Sequence, residues 1–395
     1  MGLTQRIYVF SLDFTPVRIL LLCAWIRLIA RSEYHSIMKM NVIDKLLVTY
    51  VLWAIISYTL LWQTSEALIY KLGFASYTLG TYFLIRFYIT DFEDIERTIK
   101  TLLYLSIFIA LIVLVERITH HNYFSFITDV PQETYIREGK LRCFGPFAHP
   151  ITLGSFGAFL FPLGFYAFWK KNGDKKLGLA GLSASLILVV SSSSSGPVFS
   201  LAASIIGLLT WQLRNYMRII LWGIVITITG LEIVMKAHVW ALVNRISIFS
   251  GSSHYHRFLI IDKLIEKFNE WWLIGIKSTE HWSEYVQLTD VSNNYARVAV
   301  DGGILALLLF ILIIVHVFRH IGKMRSLANE KIEHQKLFWV LGVALFSYIV
   351  TFIGVSLWDQ TTMIWNFLIA IIASIKYNNN VKLQKKEQNL ITANV

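Results

Sequence analysis

The feature that most constrains this chain is a series of long apolar segments, each close to the length that a helix needs to cross a bilayer. A transmembrane helix requires about 20 mainly apolar residues. A shorter segment begins at Pro16 and is interrupted by Arg18 and Arg27, and we include it as a span. The predicted spans are residues 16–30, 43–62, 67–89, 99–117, 150–169, 177–194, 196–213, 218–236, 298–318, 337–356 and 360–377. We therefore predict an all-α polytopic membrane protein of about 11 transmembrane helices, with residues 1–395 forming a single integral membrane domain.

The composition agrees with this prediction and excludes several other classes of protein. Hydrophobic residues make up 55% of the chain and charged residues only 15%, whereas a soluble domain carries about a quarter charged residues. A water-soluble globular enzyme and a disordered protein are therefore excluded. The formal net charge of +11 does not indicate nucleic-acid binding, because Lys and Arg of a membrane protein collect on its cytoplasmic side. We expect the lipid bilayer, and no nucleic acid, as a partner.

The distribution of Lys and Arg predicts the side of the membrane on which each connection lies. Basic connections alternate with short connections that are almost free of positive charge. The basic segments are residues 31–42, 170–176, 213–218 and 319–336 and the C-terminal tail. The positive-inside rule places them in the cytoplasm. Two long loops, residues 118–149 and residues 237–297, then lie outside together with the N-terminus.

An odd number of spans with an outer N-terminus is uncommon. Residues 7–15 also lead into the first predicted span without an anchor of their own. We therefore expect that the natural gene begins upstream and that one span is missing from this chain. A mass measurement that identifies Met1 as the true start would contradict this expectation.

The larger outer loop contains a predicted amphipathic helix at residues 257–272. Its apolar residues recur at three- and four-residue spacing, with charged residues between them. Such a helix suits the membrane interface or the top of a helix bundle. Two interpretations stay open: an interfacial helix with an aromatic anchor, and a lid over a site that handles lipid-linked sugars.

Arg257 stands at the predicted start of this helix. A fixed guanidinium beside a helix N-terminus can bind a phosphate through two parallel hydrogen bonds and through the positive end of the helix dipole. The alternative is an Arg whose side chain extends to the lipid headgroups.

The smaller outer loop ends in the sequence RCFGPFAHPITLGSFG, at residues 142–157. Pro150 suits the first turn of the helix that follows, and the glycines allow close packing of helices or the approach of a ligand. Arg142 would then lie at the outer mouth of the bundle, and the alternative is an ordinary connection between a loop and a helix. The serine-rich stretch at residues 191–197 is predicted to be a structural turn between two spans.

Polar residues also cluster at the start of the predicted span at residues 298–318. They are Asp290, Asn293, Asn294, Tyr295, Arg297 and Asp301. A carboxylate, two amides and a guanidinium at an outer helix start are suited to hydrogen bonding with a polyhydroxylated substrate. The alternative is that Asp290 or Ser292 serves only as an N-cap.

Taken in order, these features resemble the O-antigen ligase/polymerase superfamily, whose members are bacterial membrane glycosyltransferases of the GT-C type. The features are the R-x-x-G start of the segment at 142–157, the Ser-Gly turn, the large outer loop with an arginine helix, and the N-x-Y sequence followed by an acidic-Gly-Gly span. The resemblance covers residues 40–377, and its most specific parts are residues 142–157 and 245–307.

The resemblance implies an inverting, metal-independent transfer that uses no cofactor and takes place at the outer face of the bacterial inner membrane. A glycan on undecaprenyl diphosphate passes to the hydroxyl of an acceptor. The acceptor is another lipid-linked repeat unit of an O-antigen, capsule or exopolysaccharide in polymerases, and lipid A-core in ligases. Family arginines in the outer loops bind the diphosphate, and Arg142 and Arg257 match their positions. Fixed arginines would stabilise the negative charge that develops on this leaving group.

Two departures from the family pattern bear on the reaction. Ligases that resemble this chain carry a His where Ser292 stands, and the family's Ser-Arg-Gly turn reads Ser194-Ser195-Gly196 here. The missing His favours a polymerase over a ligase. It also leaves the general base open.

The candidates for the general base are, in order, Asp290, His281 and His149. A catalytically inactive member of the family is a further alternative. Asn293, Asn294, Tyr295 and Arg297 are expected to bind the diphosphate or the glycan.

The competing class is a transporter or flippase for the same lipid-linked sugar. Such a protein would bind its substrate near the bilayer midplane, at spans broken by Gly or Pro in matching positions. The sequence shows no such pair, and charged residues at mid-span are few. Glycan transfer instead predicts binding residues at the outer rim.

Overall fold

The computed structural model describes residues 7–9, 12–14, 16–31, 39–235, 238–242, 253–283, 288–328 and 331–376. Over these residues the chain is mostly helical. The helices are α1 (Pro16–Ala30), α2 (Val42–Trp62), α3 (Ser65–Tyr88), α4 (Phe92–Thr119), α5 (Pro150–Trp169), α6 (Lys175–Ser191), α7 (Ser195–Leu209), α8 (Met217–Val234), α9 (Ser253–Glu266), α10 (Phe268–Trp271), α11 (Asn294–Leu327), α12 (Ile332–Thr351) and α13 (Asp359–Ser374). Two antiparallel hairpins pair β1 (Ile7–Val9) with β2 (Leu12–Phe14) and β3 (Tyr135–Arg137) with β4 (Lys140–Arg142).

Six of the helices in the described ranges are long and apolar enough to cross a membrane. They are α2, α4, α5, α7 with its extension to Leu213, α8 and α11. The chain is therefore a helical membrane protein. Each of the other five predicted spans is also largely helical, but α1, α6 and α13 have only 15, 17 and 16 residues. The total of 11 spans and the GT-C fold stay predictions.

Helix α5 lies at the centre of the bundle and is buried on almost all sides. It packs against α6, α7 and α12, and α6 in turn packs against α4. A Cβ atom at Gly157 would lie 2.9 Å from the backbone oxygen of Ser185, so no larger residue fits there without a shift. The glycines of this segment therefore serve the close helix packing that the sequence indicates.

A buried ion pair joins α2 to α3 at the end of the bundle that we predict to be cytoplasmic. The Arg86 Nη2 atom lies 2.8 Å from Asp44 Oδ2, and its Nε donates to Oδ1 at 3.1 Å. The Tyr82 hydroxyl donates to the same carboxylate at 2.6 Å, and Arg86 also donates to the Ala373 carbonyl in α13. This network ties three helices together around one buried carboxylate.

Replacing Arg86 by Ala should destabilise the protein by about 3–5 kcal/mol, because the Asp44 carboxylate would stay buried without its cation. We expect this loss in the free energy of unfolding, measured by denaturant titration in detergent micelles. Arg97→Ala is the control, because its pair with Glu93 is exposed and such pairs contribute about 0.2–1 kcal/mol. Equal stability of the two variants would show that the buried pair is unimportant.

Helix α11 is broken near its start. Gly303 has φ +73° and ψ −172°, outside the helical region. The backbone beside the break pairs with the outer loop: Ile304 N donates to the Trp272 carbonyl and Ile276 N to the Val300 carbonyl, both at 2.8 Å. Gly275 and Gly303 are needed for this close approach, since both have positive φ and neither has room for a Cβ atom. This break was not predicted from the sequence.

The predicted amphipathic helix at residues 257–272 is wrong in its bounds. The structure has α9 at Ser253–Glu266 and the separate short α10 at Phe268–Trp271. The two are separated at Lys267, which has φ −94° and ψ 25°. Arg257 therefore lies in the second turn of α9 and not at a helix N-terminus, so the helix-dipole argument does not apply to it.

The outer loop folds onto the start of α11. Apolar residues of α9 and α10 pack with Trp282, Leu288 and Val291 and with residues of α11 in a second hydrophobic core. Its buried members are Leu259, Ile260, Trp271, Trp282, Leu288, Val291, Ala296, Ala299 and Val300. The amphipathic face thus packs on top of the bundle.

Candidate functional site

A cavity of about 950 Å³ lies at one end of the bundle, where α3, α5, α11 and α13 begin and α12 ends. Of the predicted site residues, His149, Asp290 and Arg297 line it. Gln360 at the start of α13 joins the smaller outer loop to this end, since it donates to the Pro146 carbonyl at 3.1 Å and accepts from Ala148 N at 3.2 Å. Both predicted outer loops therefore meet at the same end of the bundle.

Arg142 is held by the serine turn between α6 and α7. Its Nη2 donates to Ser194 Oγ at 2.6 Å and its Nε donates to the Ser192 carbonyl at 3.4 Å. The side chain is buried, and burial together with the charge of Arg137 lowers the pKa of the guanidinium. Ser192 and Ser194 of this turn thus orient an arginine from the neighbouring loop.

Arg257 is buried to 9% exposure and packs against Gly354, where a Cβ atom would lie 2.9 Å from the guanidinium Nε. Among the described residues it forms neither a hydrogen bond nor an ion pair. Burial and the charge of Arg137 lower the pKa of this guanidinium as well. A buried cation without a partner is costly unless an anion completes the site.

The charge of Arg137 lowers the pKa of both arginines, and the hairpin explains its position beside Arg142. Arg137 pairs with Lys140, so it lies on the same face of the hairpin as Arg142 and diagonal to it. The Cα atoms of such diagonal neighbours are roughly 7–8 Å apart. The intervening Glu138 and Gly139 both have positive φ, as a tight hairpin turn requires. Arg137 forms an ion pair with the neighbouring Glu138, whose Oε1 lies 3.8 Å from Arg137 Nε. We call Arg137, Arg142 and Arg257 the arginine cluster.

The arginine cluster carries an excess of positive charge and suits an anion such as a phosphate or diphosphate, which guanidinium groups bind through paired hydrogen bonds. It adjoins the cavity through His149 and Gly354, both of which line the cavity wall. Sequence reasoning identified Arg142 and Arg257 but missed Arg137. The only signal was its place five residues before Arg142 in the same loop.

Glu116 is a second residue that sequence reasoning missed. Its carboxylate accepts hydrogen bonds from the backbone N–H groups of Phe144 and Gly145 at 2.8 and 2.9 Å, and from Thr134 Oγ1 at 3.4 Å. These bonds fix the loop that carries Arg142 and His149. In the sequence Glu116 is visible only as a charge near the end of a span.

His149 is the N-cap of α5, and its Nδ1 accepts a hydrogen bond from Ile151 N at 3.1 Å. Burial and the charge of Arg142 lower the pKa of the imidazole to about 4. The ring is therefore neutral at pH 7, and its proton is on Nε2. Because the Nδ1 lone pair is already used, this geometry disfavours His149 as a general base.

His281 does not line the cavity. It is exposed in the larger outer loop, and its Nε2 lies 2.8 Å from Glu270 Oε2, which also accepts from Trp282 Nε1 at 2.9 Å. These contacts join two parts of the same loop, and the His281 side chain is not placed to contact a substrate in the cavity.

Three of the four predicted substrate-binding residues near α11 hold the fold together. Asn293, and neither Asp290 nor Ser292, is the N-cap of α11: its Oδ1 accepts from the N–H groups of the two residues after Asn294. Asn294 Oδ1 accepts from Leu357 N at 2.7 Å, and the Tyr295 hydroxyl donates to the Ile349 carbonyl at 3.3 Å. These bonds attach α11 to α12 and to the segment between α12 and α13.

Arg297, the fourth of these residues, faces the cavity, and so does Asp290, the first candidate for the general base. Asp290 is exposed, its carbonyl accepts from His256 Nε2 at 3.0 Å, and within the described chain nothing pairs with its carboxylate. Arg297 Nε lies 3.1 Å from Asp301 Oδ1, and Lys71 Nζ lies 3.9 Å from Asp301 Oδ2. Lys71 also lines the cavity. It stands inside a predicted span and carries no sequence motif.

The role of His149 as a cap predicts how its variants behave. His149→Asn should keep the stability of the wild type at pH 7, because Asn caps helices well, whereas His149→Ala should cost about 1 kcal/mol. The measurement is thermal unfolding in detergent between pH 4 and pH 8.

The pH dependence gives a second readout of the same variants. An unfolded His takes up its proton near pH 6.5 and folded His149 only near its pKa of about 4, so the unfolded state binds more protons in this interval. The wild type should therefore lose stability as the pH falls from 6.5 towards 4, and His149→Asn should lose less. Identical acid profiles of the two proteins would contradict the buried, neutral imidazole.

Comparisons with known proteins identify no family for this chain. No family model matches it, and no curated protein is significantly similar to it. Within the described ranges, no group of three or more His, Cys, Asp and Glu residues is placed to hold a metal ion. The resemblance to O-antigen ligases and polymerases therefore rests on the sequence features quoted above.

Proposed function

We propose that this protein is a polysaccharide polymerase that transfers a glycan from undecaprenyl diphosphate to the hydroxyl of an acceptor glycan, at the outer face of the bacterial inner membrane. One observation carries the proposal. Arg142 and Arg257 come from two different loops, both are buried, and the charge of Arg137 lowers the pKa of both, beside a cavity lined by Asp290. An anion site next to an unpaired carboxylate is what a transfer from a diphosphate needs.

The arginine cluster and Asp290 have different roles in the proposed reaction. The bond from the anomeric carbon to the diphosphate oxygen breaks, and the leaving group keeps the electron pair and the negative charge. The arginine cluster stabilises this charge in the transition state. The acceptor oxygen forms the new bond from the opposite face and gives its proton to the Asp290 carboxylate, as general base catalysis requires.

Ser292 favours a polymerase over a ligase. This residue lines the cavity and stands where ligases that resemble this chain carry a His. A serine hydroxyl is no general base at neutral pH, so this chain lacks the ligase-type base at that position and depends on another group. Ligation of the glycan to lipid A-core is the alternative.

The break in α11 is the observation that favours a transporter or flippase for the same lipid-linked sugar, since such proteins bind substrates at interrupted helices. In this chain two backbone groups beside the break have partners in the described residues. Ile304 N donates to the Trp272 carbonyl, and the Gly302 carbonyl accepts from Trp53 Nε1 at 2.8 Å. The break thus serves the packing of the outer loop, which makes transport the weaker proposal.

Profiling of the envelope polysaccharide in a deletion strain tests the proposal. A polymerase predicts that deletion leaves single repeat units capped on lipid A-core, and that the wild-type gene restores long chains. Bare lipid A-core together with an accumulating lipid-linked polymer would identify a ligase. Lipid-linked repeat units trapped in the cytoplasmic leaflet would identify a transporter, and an unchanged profile would contradict all three functions.

A further inference from the structure

We propose that Lys71, Arg297 and Asp301 form a sugar-binding subsite, separate from the arginine cluster, that holds the acceptor glycan. The assignment to the acceptor rests on the proposed function, whereas sugar binding itself does not. We call these three residues the Lys71 subsite. It lies where α3 and α11 face each other across the wall of the cavity.

The ammonium of Lys71 is buried but lacks hydrogen bonds. Lys71 is only 7% exposed, and its Nζ lies 3.9 Å from Asp301 Oδ2, beyond hydrogen-bond distance. The rings of Tyr58 and Phe74 stand 4.4 and 5.3 Å from this nitrogen. An ammonium has three N–H donors, and in the described chain none of them reaches an acceptor. Donors at a cavity wall of this kind can bind a ligand or water.

Asp301 can accept further hydrogen bonds beside this ammonium. Its Oδ1 lies 3.1 Å from Arg297 Nε, and a carboxylate offers about four acceptor positions. A pair of neighbouring sugar hydroxyls fits between these groups, because each hydroxyl can accept from Lys71 or Arg297 and donate to Asp301. A simple anion would instead be repelled by this carboxylate.

Aromatic side chains complete the subsite. The rings of Tyr70, Phe74 and Tyr77 line the same wall of the cavity. Binding sites for small molecules combine apolar and aromatic walls with a few placed polar groups, and the C–H face of a sugar ring packs on such a wall while its hydroxyls meet the charged groups.

A small chamber of about 80 Å³ continues the subsite into the bundle and supplies an independent observation. Asn294 and Asn366, each 1% exposed, line it together with Thr78. Both amide atoms of Asn366, the Asn294 Nδ2 and the Thr78 Oγ1 have no hydrogen-bond partner among the described residues. The chamber has room for about two waters at about 30 Å³ each. We infer that ordered water here bridges the buried amides to the sugar above Lys71 and Asp301.

Photo-crosslinking in the protein's own host tests the subsite with its natural ligands. The photoreactive residue p-benzoylphenylalanine replaces either Phe74, next to Lys71, or Trp358, whose ring centroid lies 6.1 Å from that of His149 on the arginine side. Crosslinked peptides are analysed by mass spectrometry for sugar and for undecaprenyl phosphate. We expect an adduct that carries sugar at position 74.

Variants then assign this adduct to the subsite. Lys71→Met and Asp301→Asn should lower the yield of the position-74 sugar adduct by about tenfold, because each removes hydrogen bonds to a charged group. Lys277→Met is the matched control: Lys277 stands 5.6 Å from the Trp62 ring but does not line the cavity, so the yield should not change. Arg257→Ala should lower the adduct at position 358 and spare the one at position 74.

The outcomes separate this proposal from the proposed function. A sugar adduct at position 358 and none at position 74 would overturn the Lys71 subsite and leave glycan transfer standing. An adduct at position 74 that carries undecaprenyl phosphate without sugar would make this a lipid-anion site and overturn the subsite as well. A Lys71-dependent sugar adduct in a protein whose deletion profile excludes transfer would keep the sugar site and overturn the proposed function. No sugar at either position would overturn both.

Discussion

Arg257→Ala is expected to lower the rate of glycan transfer by about 100-fold or more, which is the usual effect of removing one group that stabilises a developing negative charge. The guanidinium is buried against Gly354 and has no partner within the described part of the chain. Its charge is therefore available to an incoming diphosphate. The measurement is transfer from purified lipid-linked donor in proteoliposomes.

The expected loss of transfer rate in Arg257→Ala follows from the position of the Arg257 guanidinium. Burial and the charge of Arg137 both disfavour the charged form of the Arg257 guanidinium and lower its pKa. A guanidinium nevertheless stays protonated in proteins. A bound diphosphate would remove the repulsion from Arg137, so the cluster binds an anion more strongly than its separate arginines would.

Arg257→Lys distinguishes charge from geometry. Lysine keeps the positive charge but replaces the planar fork of donors by a point charge, so its rate should fall between those of Arg257→Ala and the wild type. Arg117→Ala is the matched control, because Arg117 is exposed near the same end of the bundle and is not part of the arginine cluster. Full activity of Arg257→Ala would exclude this residue from the reaction and weaken the leaving-group mechanism.

Arg142→Ala should reduce transfer to a similar degree but needs a test of folding. Arg142 also donates to Ser192 and Ser194, so its loss removes contacts between the hairpin and the serine turn. Arg142→Lys can keep one of these bonds. If Arg142→Lys unfolds at the temperature of the wild type and still transfers slowly, the defect lies in anion binding rather than in the fold.

The positions of the long helices could be predicted because the apolar segments in the sequence have the length of a span. The predicted segment at residues 43–62 is α2 within one residue, and Pro150 begins α5 as expected. The outer loop was predicted less well. Its helix ends at Glu266 because Trp271 Nε1 folds back and donates to the Leu264 carbonyl at 2.7 Å, a tertiary contact that has no periodic signal in the sequence.

The residues of the candidate site could also be predicted only in part. Arg142 and Arg257 could be selected because arginines in outer loops suit a diphosphate, but their meeting point Arg137 depends on the register of the β3–β4 hairpin. Lys71 could not be selected, because a single Lys inside a predicted span has no partner in the sequence. It becomes informative only when α11 brings Asp301 to within 3.9 Å. Contacts between distant segments are decided by helix packing, which hydropathy does not encode.

Asp290→Asn is expected to lower the rate of transfer by about 100- to 10,000-fold, the range for losing a general base. Of the three predicted candidates for the general base, Asp290 is the one that lines the cavity with an unpaired side chain. No described residue forms a hydrogen bond or ion pair with its carboxylate. His149 caps a helix through Nδ1, and His281 is hydrogen-bonded to Glu270 outside the cavity. His149→Asn and His281→Ala should therefore change the rate by only about twofold.

Two further measurements separate a base from a residue that merely shapes the loop. Added formate should restore part of the rate of Asp290→Ala, since a small carboxylate can occupy the vacated space and accept the proton, whereas a structural defect would not respond. Asp262→Asn is the control, because Asp262 lies on α9 outside the cavity.

The affinity for the lipid-linked donor should stay unchanged in Asp290→Asn, because the arginine cluster binds the diphosphate. If Asp290→Asn transfers at the wild-type rate, the acceptor proton goes to another group and the division of roles between Asp290 and the arginine cluster is wrong.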